Sequence, residues 1–161
     1  MITASLATIP AREELLKKTV ASLLPQVDFL YVQLNDYKEV PTWLEYSSAE
    51  NNMKVIASLT TNEMGDANKF KPIANADSLF FTCDDDLIYP PDYTSQMKWV
   101  LNNKYDNKVI LSCHGRVFPK GPHESYYASK VLSYHCLFDV PCDSLVHVGG
   151  TGVMAFDVRE V

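Results

Sequence analysis

Three carboxylates stand side by side at Asp84-Asp85-Asp86, directly after the apolar run Ser78-Leu79-Phe80-Phe81-Thr82-Cys83. The chain holds 12 aspartates in 161 residues; at that frequency chance supplies only about 0.07 such triplets. Neighbouring acids repel. A unit pair ~4 Å apart at an effective dielectric of ~20 costs about 4 kcal/mol. Protonation, exposure to solvent or a bound divalent cation relieves the repulsion. Oxygen-only ligands suit Mn²⁺ or Mg²⁺, ions that bridge to nucleotide phosphates and neutralise a departing diphosphate. The competing use is a solvated acidic turn, with Asp86 helping to cap a helix entered through Pro90-Pro91.

The elements that must position these acids are readable from apolar periodicity. Ile2 to Thr8 predicts a buried strand, and Pro10 suits the first turn of a following helix. From Ala11 to Leu24, Leu15, Leu16, Val20, Leu23 and Leu24 recur at helical spacing, and Pro25 closes the run. Asp28 to Leu34 predicts a second strand, Pro41 to Tyr46 a short helix, and Met53 to Leu59 a third strand. A polar stretch from Thr60 to Lys71 reads as loop, and Ser78 to Cys83 as the fourth strand. Asp92 to Asn102 predicts a helix and Val109 to Cys113 a fifth strand. Beyond it, Gly115 to Tyr134 reads as loop, and Ser144 to Phe156 as a strand interrupted by glycines. This alternation implies an α/β domain whose mostly parallel sheet is covered on both faces. Ligands of such sheets bind outside the carboxyl ends of the strands, where the acidic triplet falls.

Composition narrows the field. Apolar residues make up 47% and charged residues 21%, an ordinary globular balance that excludes disorder and coiled coil. A length of 161 residues fits a single domain spanning 1–161. Its abrupt ending after a strand-like segment leaves C-terminal truncation open. A net charge of −6 argues against a nucleic-acid groove. No apolar run is long enough for a transmembrane segment, and Met1-Ile2-Thr3-Ala4 lacks the features of a signal peptide, so a cytoplasmic setting is expected. The four cysteines contain no C-x-x-C and read as reduced and mostly buried. A zinc site from His135, Cys136, Cys142 and His147 would have a spacing that fits no common pattern.

Thr8-Ile9-Pro10-Ala11-Arg12, Asn35-Asp36 and the run from Phe80 to Tyr93 (FFTCDDDLIYPPDY) together resemble the GT-A fold glycosyltransferases, particularly the family-2-like branch. The resemblance covers most of Ile2 to Tyr93 and continues weakly through Gly149-Gly150-Thr151-Gly152 to Phe156. It implies a Rossmann-like, three-layer α/β/α fold and a metal-dependent hexosyltransferase-type activity. By matching position, Asp86 would be the principal metal ligand, Asp84 would contact the donor ribose or the metal, and Asp85 would stand close to both. Thr8 and Arg12 would hold the nucleotide, and Asp36 would accept a hydrogen bond from the base, which suits a uracil N–H. Lys69 and Lys71 would bring positive charge to the diphosphate, with Asp66 holding one of them and Gly65 permitting an unusual turn. His147 would be a third metal ligand; His114, at the end of the fifth strand, stands at the ligand edge for a donor-sugar or acceptor contact, and Tyr126-Tyr127 reads first as loop packing, with stacking on a sugar as the alternative.

The expected activity is transfer of a sugar from a nucleotide diphosphate donor, a UDP-sugar in the first instance, to a saccharide or other hydroxyl acceptor. The catalytic base is unassigned: Asp143, Asp157 and Glu160 are the late acids, and none matches the family pattern well. The alternative is a module that binds nucleotide or sugar without turnover. Phosphotransfer through an aspartate fits poorly, because Asp85 and Leu87 occupy the positions where that chemistry wants an apolar residue and a Thr or Gly.

Overall fold

The structure, a computed structural model, describes residues 1–45, 54–122, 124–139 and 142–161. Tyr46 and Met53, the expected ends of the short helix and the third strand, lie outside the described residues.

Nine strands and two longer helices are described: β1 (Ile2–Thr8), α1 (Glu13–Leu23), β2 (Phe29–Asn35), β3 (Val55–Thr60), β4 (Leu79–Cys83), α2 (Tyr93–Lys104), β5 (Leu111–Ser112), β6 (Gly115–Val117), β7 (Leu132–Tyr134), β8 (Val148–Gly149) and β9 (Val153–Asp157). Six strands form one sheet in the order β3-β2-β1-β4-β9-β5. β1 pairs in parallel with both β2 and β4, and β2 with β3; β9 alone runs antiparallel, between β4 and β5. The fold is therefore α/β with a mostly parallel sheet. β1 and β4 are at its centre, so the acidic triplet leaves the sheet from an interior strand.

The two faces of the sheet differ in chemistry. Ala4, Leu6, Leu30, Val32, Leu34, Leu79, Phe81 and Ala155 share one apolar cluster with Leu16, Val20 and Leu23 of α1 and Met97 and Leu101 of α2. Leu44, in the short helix at residues 42–45, joins the same cluster. Each of the leucine, valine, phenylalanine and methionine side chains among them contributes about 1.5–3 kcal/mol on burial. The intervening positions Thr3, Ser5, Gln33 and Thr82 are buried and polar. Against that side lies a 3-10 run, Asn62–Asn75, kinked at Gly65 (φ 54°) and carrying buried Asn68, Lys69 and Pro72. Helices pack on the apolar face and the 3-10 run crosses the polar one.

Several expectations are corrected. Thr60 to Lys71 is not a plain loop, because side-chain bonds organise it: buried Asn68 donates to Asn35 Oδ1 at 2.7 Å and to Thr61 O at 2.8 Å. The fifth strand shrinks to Leu111–Ser112, since β9 supplies its ladder over only two residues. The expected loop from Gly115 to Tyr134 contains β6 and β7, which join β8 in a small antiparallel sheet. These strands are three residues or fewer, too short for an alternation to register in sequence. No helix is long and apolar enough to cross a membrane among the described residues.

Candidate functional site

A cleft of about 440 Å³ opens at the carboxyl ends of β1, β2 and β4. Its walls are Ala7 and Thr8 at the end of β1, Ile9 just after it, Arg12, Asn35 at the end of β2, Asn62 and Asp66 from the 3-10 run, and all three acids Asp84, Asp85 and Asp86. β1 and β4 are in parallel register, with Leu6 opposite Cys83, so the chain segments that follow both strands meet at one edge.

The acids have built-in counter-charges. Arg12 donates to Asp85 Oδ1 at 2.8 Å and reaches Asp86 Oδ2 at 3.4 Å. The Asp85 hydrogen bond and charge hold the guanidinium still more firmly protonated than usual. Lys69 is fully buried, and its ammonium lies 2.6 Å from Asp84 and 2.8 Å from Asp66. Four carboxylates (Asp66, Asp84, Asp85, Asp86) against two cations leave two negative charges. The side chain of Asp85 is only 4% exposed and committed to Arg12, whereas that of Asp86 is 41% exposed and only weakly engaged. Repulsion within the triplet is thus partly offset by the protein itself, and the residual charge equals that of one divalent cation.

The backbone holding the acids is tightly tied. Tyr89 Oη accepts from Asp84 N–H at 2.8 Å and donates to Gly152 O at 2.5 Å. Burial pushes the Tyr89 hydroxyl far above the usual phenol range, so it remains a donor. Thr19 Oγ1 on α1 reaches the carbonyls of Asp85 and Leu87 at 3.0 and 2.8 Å. Gly152 lies against Asp84: a Cβ there would be 2.0 Å from Asp84 Oδ2. The glycine-containing segment before β9 is therefore a close-approach element that wraps the first acid.

Of the residues expected at the site, the structure gathers Thr8, Arg12, Asp66, Lys69, Asp84, Asp85 and Asp86. Three others are engaged elsewhere. Asp36 adopts a left-handed backbone (φ 58°) and accepts the Asn62 N–H at 3.0 Å, acting as a turn residue. Lys71 is exposed, with its nearest polar partner Thr60 Oγ1 at 3.5 Å. His147 is exposed, and its Nδ1 accepts the Phe118 N–H at 3.0 Å, on the small sheet. Sequence reasoning misses Asn35, Asn62, Tyr89 and Thr19. The first two carry only the signal of ending or following a strand-like run; the last two act through long-range contacts that leave no local mark.

The late acids are also placed. Asp157 pairs opposite Leu79, the first residue of β4, and so lies at the far edge of the sheet from the triplet. Asp143 accepts from Tyr105 at 2.8 Å and Lys104 at 3.2 Å, away from the cleft walls. Comparison with protein-family models gives no match, and comparison with curated proteins gives none either.

Proposed function

We propose that this cleft binds a nucleotide diphosphate-sugar together with Mn²⁺ or Mg²⁺, and that the protein transfers the sugar to a hydroxyl acceptor as a GT-A glycosyltransferase. The observation that carries the reading is the cleft's charge: four carboxylates against two cations, with the half-exposed Asp86 held only by a 3.4 Å contact to Arg12. An all-carboxylate donor set suits a hard cation. Asp86 would be its principal ligand and Asp84 the second. When bound, the cation supplies neutralising charge to the leaving diphosphate.

The chain's own residues divide the remaining work. Arg12 has five donors in a planar fork, and its contacts with Asp85 and Asp86 use only Nη1, leaving the others for a phosphate oxygen. Lys69 fixes the Asp84 carboxylate from below. The amide of Asn62, on the cleft wall, would take over the base recognition expected of Asp36, its nitrogen donating to a uracil carbonyl, while the Asn35 amide beside it is spent on Gly65 O, Asn62 Oδ1 and Asn68. The mostly parallel six-strand sheet is compatible with the Rossmann-like, three-layer architecture of that family.

A second reading, a module that binds donor without turnover, is favoured by one observation: none of the late acids, Asp143, Asp157 or Glu160, lines the cleft. Donor hydrolysis in the presence of Mn²⁺ separates the two readings. Binding itself is tested by isothermal titration of UDP in the presence of Mn²⁺. The proposal expects metal-dependent heat in the native protein and its loss in Asp86→Ala; equal heats from both proteins would end it.

A further inference from the structure

A second group of metal-type side chains lies outside the carboxylate cleft, and its donors are nitrogen and sulfur. β6 and β7 pair with Gly115 opposite Tyr134, so the next residues outward, His114 and His135, face each other across the ladder. Their ring centroids are 5.3 Å apart. At His135 the chain leaves the ladder in a turn closed by Phe138 N–H donating to His135 O at 3.0 Å. That turn brings Cys136 back beside the rings. One ligand atom from each of His114, His135 and Cys136 lies within 4.8 Å of the others.

We propose that His114, His135 and Cys136 form a zinc site, a His2Cys centre with its fourth position open to water and separate from the carboxylate cleft. Ligand atoms on tetrahedral zinc are about 3.5 Å apart, so small side-chain rotations close the cluster. Imidazole and thiolate donors select a borderline-soft ion and discriminate against Mg²⁺. The backbone beneath His114 is already fixed: its carbonyl accepts from Gly150 N–H at 2.7 Å and from Ser112 Oγ at 2.8 Å. Gly150 also makes room for the imidazole, since a Cβ there would be 3.0 Å from two atoms of the ring. Among the described residues the ring nitrogens of His114 make no hydrogen bond. Among the described residues, Leu137 N–H reaches His135 Nδ1 at 3.3 Å, long for a hydrogen bond.

The site differs from the set suggested by the sequence. Cys142 is exposed beside Ser144, and His147 is engaged by Phe118. His114 lies between β5 of the main sheet and β6 of the small one, and His135 and Cys136 follow β7, so the ion would close the end of the small sheet where the chain enters it from the main sheet. Gly150 lies against the His114 ring and Gly152, two residues on, against the Asp84 carboxylate, which places the site beside the carboxylate cleft.

The test is titration of the metal-free protein with Zn²⁺ alone, and with Co²⁺ as an optical probe. One equivalent of Zn²⁺ binds, and Co²⁺ gives a thiolate-to-metal charge-transfer band with the intense visible bands of a tetrahedral site. Cys136→Ser loses the charge-transfer band and weakens Zn²⁺ binding at least ten-fold; Cys142→Ser and Asp86→Asn retain both. His114→Gln is read in the same way should Cys136→Ser lose its native circular dichroism. The proposal is overturned if the native protein shows no charge-transfer band, if both ligand variants bind Zn²⁺ as the native protein does, or if Asp86→Asn abolishes the binding.

Discussion

Gly152→Ala puts the close approach between β9 and the acids under direct strain. The added methyl would lie 2.0 Å from Asp84 Oδ2 and 2.2 Å from its Cγ, inside any tolerated contact. Neither partner yields freely. The Asp84 carboxylate is held by Lys69 at 2.6 Å, and Tyr89 Oη bridges Asp84 N–H to Gly152 O. Either the carboxylate swings off Lys69, leaving a buried ammonium with Asp66 and the Thr151 carbonyl, or the start of β9 moves away from β4. Overpacking of this kind costs about 1–3 kcal/mol. For a chain of this size each kcal/mol moves Tm by ~2–4 °C, so the melt falls by about 2–12 °C. Thermal melts of Gly152→Ala, Asp84→Ala and the double variant measure the coupling. With the carboxylate removed, the methyl has space, and the double variant should recover about 1–2 kcal/mol relative to additivity. A Gly152→Ala variant that melts with the native protein, or a double variant that is strictly additive, would refute the contact as the source of the cost.

Two further outcomes follow from burial and pairing. Asp157 is almost wholly buried, and Arg159 hydrogen bonds hold its carboxyl below the usual carboxylate range. Its stabilisation is complete above the unfolded value of ~3.9 and is lost as pH falls through the lower folded value. Asp157→Asn should therefore lower Tm at neutral pH, with the gap to the native protein narrowing below about pH 4; a gap independent of pH would contradict this. Burial pushes the Cys83 thiol up to about 12, whereas Cys142 is exposed. An alkylating reagent at mildly alkaline pH should label Cys142 in the native protein and Cys83 only after unfolding, as read by peptide mass mapping.

The frame of the site is legible in the sequence because the frame is local. An apolar strand ending in three acids, and a Pro-x-Arg turn after the first strand, are each contiguous, and parallel pairing of β1 with β4 brings the two together. Lys69 and Lys71 are equivalent by sequence alone. They differ because the 3-10 run, kinked at Gly65 and anchored by Asn35 donating to Gly65 O at 2.9 Å, turns one inward and the other to solvent. The family resemblance assigns Asp36 to the base, yet its left-handed backbone makes it part of the turn itself. His147 is inseparable from His114 or His135 without the register of the small sheet, whose strands are too short to leave a periodic trace. The antiparallel insertion of β9 beside β4 is equally hidden, because strand direction has no signature in hydrophobic pattern.

The central claim is that residual negative charge around Asp86 holds a hard divalent cation against a diphosphate. Anomalous diffraction from crystals grown with Mn²⁺ and UDP tests it most directly. The account predicts a manganese peak in contact with Asp86, shared with diphosphate oxygens and with Asp84, while Asp85 keeps its ion pair to Arg12. A cleft holding neither metal nor nucleotide, with Asp86 turned to bulk water, would contradict it.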